Sequence, residues 1–155
     1  MVKIYIPKYK DLWFRERLLS DSDTMSYNNA WGGTIDFSES KWQRWYNFWI
    51  EKPEGKRFYR YLVNENNEFV GEIAYHLDDE ENKYLASVII YSKYRGIGYG
   101  REGLKLLCSS AKNNGLRNLY DNIALGSSAI NLFLECGFTE EYRTKDIVML
   151  KIDLE

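Results

Sequence analysis

The apolar positions of the chain change spacing along its length, and the changes mark the elements. After a short strand-like start, Leu12 to Leu19 reads as a second extended piece. Ser20-Asp21-Ser22-Asp23 supplies side-chain oxygens able to cap a short helix through about Asn29. Trp31-Gly32-Gly33-Thr34 has to turn. Asp36 and Glu39 have the three-residue spacing of a capping box and open a helix from about Ser38 to Ile50, with Trp42, Trp45, Tyr46 and Trp49 on one side. Phe58 to Val63 and Glu68 to Leu77 are strand-like and joined by Asn64-Glu65-Asn66-Asn67, which has good turn chemistry. Asp78 to Asn82 leads to another strand, Tyr84 to Tyr91, and three strands joined by short polar turns imply an antiparallel meander. Gly98 to Asn113 is helical, with Leu104, Leu107, Cys108 and Ala111 on its apolar stripe. A strand over Asn118 to Ile123 follows, then a helix over Ser127 to Cys136 stopped by Gly137, and a hairpin of Phe138 to Thr144 with Ile147 to Leu154. The helical connection makes the Asn118 strand a parallel neighbour of the one before it. The pattern predicts an α+β fold: a mixed, mostly antiparallel central sheet with helices on both faces, in one domain over residues 1–155.

Composition narrows the class without deciding it. The net charge of -2 gives no basic face for nucleic acid. No apolar run approaches a membrane span, and the N-terminus has no long apolar segment of the signal-peptide type. Cys108 and Cys136 lie in separate predicted helices with no metal-type or disulfide-type spacing, so no metal is expected and a reducing cytoplasm is the default. An aromatic share of 16%, with 5 Trp and 13 Tyr, suits both a core and a binding pocket.

The segment with most chemistry is Arg95-Gly96-Ile97-Gly98-Tyr99-Gly100, between a strand and a helix. Glycine lets a backbone approach a ligand and take positive φ. The helix that follows presents unpaired N–H groups and a partial positive charge, a combination that holds phosphate oxygens. Arg95 and Arg101 add charge. A P-loop fails because no Gly-Lys-Ser/Thr follows. Gly98-x-Gly100-x-x-Gly103 matches the dinucleotide fingerprint literally, and Asp121 stands where its acidic ribose ligand belongs. Against that reading, five residues separate Ile90 from Gly96, the upstream strands are antiparallel, and too little chain follows Asp121 for a doubly wound sheet.

Residues Ile90 to Gly100 resemble the coenzyme A signature of the GNAT N-acetyltransferase superfamily, Q/R-x-x-G-x-G/A, with Arg95, Gly98 and Gly100 at its defined positions. Ala129-Ile130-Asn131-Leu132-Phe133-Leu134-Glu135-Cys136-Gly137-Phe138 is similar to the family's Ala-x-x-Leu-Tyr-x-x-x-Gly-Phe element. The likeness runs from about Phe58 to the C-terminus. It implies acetyl-CoA as acyl donor. The pyrophosphate would fall to Arg95, Gly96, Ile97, Gly98, Tyr99 and Gly100 with Arg101 nearby, the pantetheine arm to backbone groups of Val88, Ile89 and Ile90, and further contacts to Asn131 and Phe133. The reaction implied is direct attack of a primary amine on the thioester in a ternary complex. A non-catalytic coenzyme A sensor or scaffold is the alternative.

Two departures bear on mechanism. Where the family often has a tyrosine that protonates the leaving thiolate, this chain has Phe133, and the Asn common three residues before the Ala is Gly126. Either the thiolate leaves without that acid, since a thiol's pKa near ~8.5 makes it a tolerable leaving group, or Tyr94, Tyr142 or another tyrosine substitutes. An amine needs a base or a water chain. Glu72 is the first candidate and His76, the only histidine, the second; with Ala74 they share one strand face by period-2 alternation. Trp31 and Trp45 are candidates for the acceptor pocket, because aromatic faces favour cations, although a tryptophan stripe also suits a core. Small-molecule amines, polyamines, antibiotic amino groups and protein or peptide amines all fit as acceptors, and a homodimer is compatible with the architecture.

Overall fold

Polar turns set the register of the sheet. Asn64 Oδ1 accepts hydrogen bonds from the backbone N–H groups of Asn66 and Glu68, both at 3.0 Å, and Asn67 takes a positive φ of 61°. This closes the hairpin of β2 (Arg57–Val63) and β3 (Phe69–Asp78). The computed structural model describes all residues from Met1 to Glu155. The remaining strands are β1 (Lys3–Tyr5), β4 (Lys83–Ile90), β5 (Asn118–Ala124), β6 (Thr139–Arg143) and β7 (Ile147–Asp153). They form one 7-stranded sheet in the order β1-β2-β3-β4-β5-β7-β6. Every pairing is antiparallel except β4 with β5. The α+β, mostly antiparallel sheet that the pattern predicts is the observed one.

Alternation along the strands feeds a core on each face. On one side α3 (Tyr99–Asn113) and α4 (Ala129–Glu135) pack over Leu62, Ile73, Tyr75, Leu119, Ile123 and Leu150. On the other, α1 (Leu12–Ser20) and α2 (Trp42–Tyr46) cover Tyr59, Tyr61, Ala74 and Ile89. No helix is long and apolar enough to cross a membrane.

The N-terminal third differs from its sequence-based expectation. Leu12 to Leu19 is helical, not extended. Leu12, Leu18 and Leu19 are fully or nearly fully buried, and the Arg15-Glu16-Arg17 run between them is made of good helix formers. Spacing of three and four residues, from Leu12 through Arg15 to Leu18 and Leu19, is helical period, and it outweighs the local alternation of Leu12 and Phe14. The helix expected from Ser38 to Ile50 is present as a 3-10 turn (Glu39–Lys41), α2 and a wider π turn (Asn47–Glu51). No capping box forms at its start: Asp36 Oδ1 accepts the Ser38 N–H at 3.0 Å, and Ser38 makes no side-chain cap. The short helix after Asp21 is a 3-10 segment, Thr24–Trp31, ended by Gly32 at φ 106°.

The β2–β3 register slips at Val70, where Val63 pairs with Phe69 and Leu62 with Gly71. The slip reverses the faces, so Phe69 joins one core and Ile73, four residues on, the other. It also presses Gly71 against β4: a Cβ there would lie 2.4 Å from the Ile89 carbonyl oxygen. Backbone cannot give way as a side chain can. Gly71→Ala is therefore expected to destabilise the fold by about 2 kcal/mol or more, read as a lower denaturant midpoint with unchanged m-value.

Candidate active site

β4 and β5 share a single register pair, Leu85 with Tyr120. On their other sides the same strands stay fully paired, β4 with β3 from Lys83 to Ile90 and β5 with β7 from Asn118 to Ala124. A gap therefore opens between them after Tyr120. Val88 and Ile90 lie against the α3 side, and Ile89 faces the α1 side. The backbone groups of this stretch that point toward β5 have no strand partner, which is an unusual condition for half-buried peptide groups.

The glycine loop closes the open end of the gap. Gly96 and Gly98 take φ of 82° and 95°, and Gly98 is the N-cap of α3 with no side-chain cap. The first backbone donor of the helix to be used is that of Glu102, bonded to the Gly98 carbonyl at 3.1 Å. The N–H groups from Gly96 through Arg101 donate to nothing in the chain. They form a row of free donors at the positive end of a helix, which is suited to phosphate oxygens. Gly103 serves packing instead: a Cβ there would meet Leu62 Cδ1 at 2.7 Å, so the glycine lets α3 lie close on the sheet.

Arg95 points elsewhere than the sequence suggested. Its guanidinium donates to the carbonyls of Asp23 (3.0 Å) and Thr24 (2.6 Å). Ser92 adds to this contact through its N–H to Thr24 Oγ1 (2.9 Å) and its hydroxyl to Asp21 Oδ2 (2.8 Å). Hydrogen bonds from Thr24 and Ser92 hold the Asp21 carboxyl below its usual range. The residues before the glycine loop thus tether the Thr24–Trp31 segment, while Arg101 pairs with Glu135 of α4 on the surface. Asn131 is exposed on α4, and Phe133 is buried, its ring 4.9 Å from that of Phe138.

Glu72 is buried on the α1 side at the level of Ile89. Its Oε1 accepts from Arg15 Nη1 at 2.6 Å and from the Tyr59 hydroxyl. Oε2 makes no hydrogen bond within the chain. The Arg15 guanidinium lies 4.6 Å from the Trp45 ring, 5.0 Å from Phe37 and 5.3 Å from Tyr59. Burial works against the Arg15 charge, but Glu72 and Tyr59 outweigh it and raise its pKa. Burial, then Glu72, pushes the Tyr59 hydroxyl far up, so it stays a neutral donor. Trp45 Nε1 and Arg15 Nε are buried with no acceptor. Tyr27, in the tethered segment, has its hydroxyl raised to about 12 by burial first and Glu72 second, and Asp121 adds to the effect.

His76 shares the face of Glu72 but lies four residues on, about 13 Å along the strand. It pairs with Leu85 at the closed end of the gap and its ring is 6.2 Å from Trp49. Burial lowers its pKa, with Asp78 acting the other way. Trp31 is 61% exposed at the end of the tethered segment, away from the cage around Arg15. The Tyr94 hydroxyl donates to Glu68 at 3.1 Å, and Tyr142 stands exposed on edge strand β6. Sequence reasoning missed Arg15, Tyr59 and Tyr27. Arg15 had a signal, its three-residue spacing from Leu12 and Leu18, which the extended reading of that run concealed.

A model of the acetyltransferase (GNAT) family matches residues 16–138. The chain belongs to the GNAT acetyltransferase family. The match begins well before Phe58, at Glu16, so the family pattern takes in the later part of α1 but not Arg15 itself. No curated protein matches in sequence. Among solved structures, the chain is similar to spermidine N-acetyltransferase from Vibrio cholerae in complex with CoA and spermine (19% identity, TM-score 0.77, covering 99% of this chain and 95% of that one). It is similar too to a GNAT acetyltransferase from Bacillus anthracis (20%, 0.77, 98% and 94%) and to an N-acetyltransferase from Staphylococcus aureus Mu50 (19%, 0.76, 100% and 99%). At these identities the likeness is one of fold.

Removing Arg15 would leave the Glu72 carboxylate buried without its cation. Arg15→Met is expected to cost about 3–5 kcal/mol of stability, and adding Glu72→Gln should restore part of it. Chemical denaturation of the two single variants and the double variant checks this as a coupling energy.

Proposed function

We propose that the chain is an N-acetyltransferase that moves an acetyl group from acetyl-CoA to a primary amine by direct attack in a ternary complex. The observation that carries this reading is the pairing of a strand gap with a row of free amides at its mouth. The free N–H groups from Gly96 to Arg101 suit the pyrophosphate, with Arg95 acting through the segment it tethers. The unpaired edge of β4 at Val88, Ile89 and Ile90 suits the pantetheine amides, as an added strand would. Asn131 and Phe133 on α4 border the same region of the fold. When bound, acetyl-CoA supplies the activated acyl group, and the protein supplies alignment.

The acceptor belongs on the α1 side. There Glu72 offers Oε2, with Oε1 held by Arg15 and Tyr59. An amine nitrogen or a bridging water can donate to Oε2, which directs the lone pair and receives the departing proton. A backbone N–H of β4 that faces the gap stabilises the oxyanion formed at the thioester carbonyl. Trp45, whose face is already against the Arg15 cation, supports the pocket wall. Trp31 forms the outer rim, and His76 at the closed end of the gap is the second base candidate. Acceptors named in the neighbours, such as spermidine and spermine, fit a carboxylate-bearing aromatic pocket and head the list to be tried.

Saturating acetyl-CoA should raise the melting temperature by roughly 5–10 °C, and Gly98→Val, which places a β-branched residue at a φ of 95°, should lose that shift. A shift with NAD and none with acetyl-CoA would refute the reading. Thiol release across a panel of amines, polyamines first, identifies the acceptor. Tight CoA binding with no thiol release from any amine would instead favour a CoA-binding sensor.

A further inference from the structure

Phe133 leaves the departing thiolate without the hydroxyl that the sequence comparison expects there, and the alternative tyrosines are engaged elsewhere. Tyr94 is bonded to Glu68 and Tyr142 lies on the outer edge of the sheet. The same side of the sheet carries an acidic group with no evident structural task. Asp121 is the residue of β5 immediately after Tyr120, the last point of contact with β4. It stands where the gap begins.

Strand alternation fixes its direction. Leu119 and Ile123 on either side belong to the core beneath α3 and α4, as do its cross-strand partner Leu150 and Phe133 itself. Asp121 occupies a position on the core-facing side of β5, between Leu119 and Ile123 and across from Leu150, where a carboxyl group is out of place unless partnered. It has no partner: no cation pairs with it and no side chain donates to it, although it is only half-buried. The nearby lysines are on the other face, Lys83 and Lys151 lying over the Tyr120 ring at 4.9 and 5.7 Å. Burial raises its pKa well above the ordinary carboxylate range, and the Asn122 backbone N–H only partly opposes this.

Resting on the acetyl-CoA reading above, we propose that Asp121 is the catalytic acid that protonates the departing coenzyme A thiolate, in the place of the tyrosine this chain lacks. The amine nitrogen bonds to the carbonyl carbon, the C–S bond breaks, and sulfur leaves with the electron pair. The Asp121 carboxyl gives its proton to sulfur and becomes a carboxylate. The proton lost by the amine passes through Glu72 or water to solvent, and Asp121 recovers a proton from solvent after CoA leaves. A thiol with a pKa near ~8.5 is matched to such a donor.

The test is carbon NMR of protein labelled at the Asp carboxyl carbons, with the Asp121 signal assigned by its loss in Asp121→Asn. Asp121 is expected to be protonated at pH 7. Its signal should move when CoA is added and move less with desulfo-CoA, which lacks the thiol. This arm needs no acceptor. Where wild type turns over an amine, Asp121→Asn should lower kcat roughly ten- to a hundredfold, with CoA Kd within threefold and the melting temperature kept. An Asp121 that is ionised at pH 7, or is indifferent to the CoA thiol, overturns the proposal; so does an Asp121→Asn variant with kcat within twofold of wild type. If wild type binds no CoA at all, the acetyl-CoA reading fails as well, and calorimetry with CoA separates the two failures.

Discussion

Everything at the site depends on β4 giving up its neighbour. A central strand ordinarily satisfies its backbone groups on both sides, because an unpaired peptide group away from water is costly. Here β4 keeps β3 along its whole length and keeps β5 at Leu85 alone. The defect is held open because each strand is anchored on its far side, and because α3 and α4 cross the sheet with their own core beneath them. Local adjustment cannot close the gap. A ligand with amide groups and an extended shape can satisfy it.

The glycine loop obeys the same logic at a helix end. Helix α3 starts with no side-chain cap, and its free donors run back to Gly96. Gly96 and Gly98 take positive φ in this loop. Arg95, which a sequence argument assigns to the phosphate, is used to fasten the loop to the Asp21–Thr24 turn. The fastening couples the glycine loop to the segment that carries Tyr27 and Trp31.

Much of this was legible in the sequence where local chemistry decides the structure. The Asn64–Asn67 turn, the glycine loop and the stop at Gly137 depend on residues close in the chain, and each fell where predicted within a few residues. Failures came where distant partners decide. Leu12 and Phe14 alternate locally as a strand could, and the helical spacing of Leu12, Arg15, Leu18 and Leu19 prevails because it buries the three leucines under the sheet. The Asp36–Glu39 spacing allowed a capping box, but the chain used Asp36 for the Ser38 N–H instead. Glu72 was legible as an acidic residue on a sheet face. Its pairing with Arg15, 57 residues away in sequence, was not, because no periodicity records which helix will cover which strand.

In the proposed reaction the sheet also separates the two proton transfers. Glu72 projects to the α1 side and Asp121 to the α3 side, since each is fixed by the alternation of its own strand. Between them is the opening left by β4. On the acetyl-CoA reading, an acetyl group lodged in that opening would have the amine on one side and the sulfur on the other. In the proposed roles Glu72, held by Arg15 and Tyr59 through Oε1, takes the amine proton, and Asp121, whose carboxyl is raised by burial, gives one to sulfur. Had both carboxyl groups stood on one face with the same solvation, their charges would have competed for a single proton. The register of β3 and β5 prevents this, so the slip at Val70, which decides the face Glu72 occupies, is a condition of the chemistry as much as of the packing.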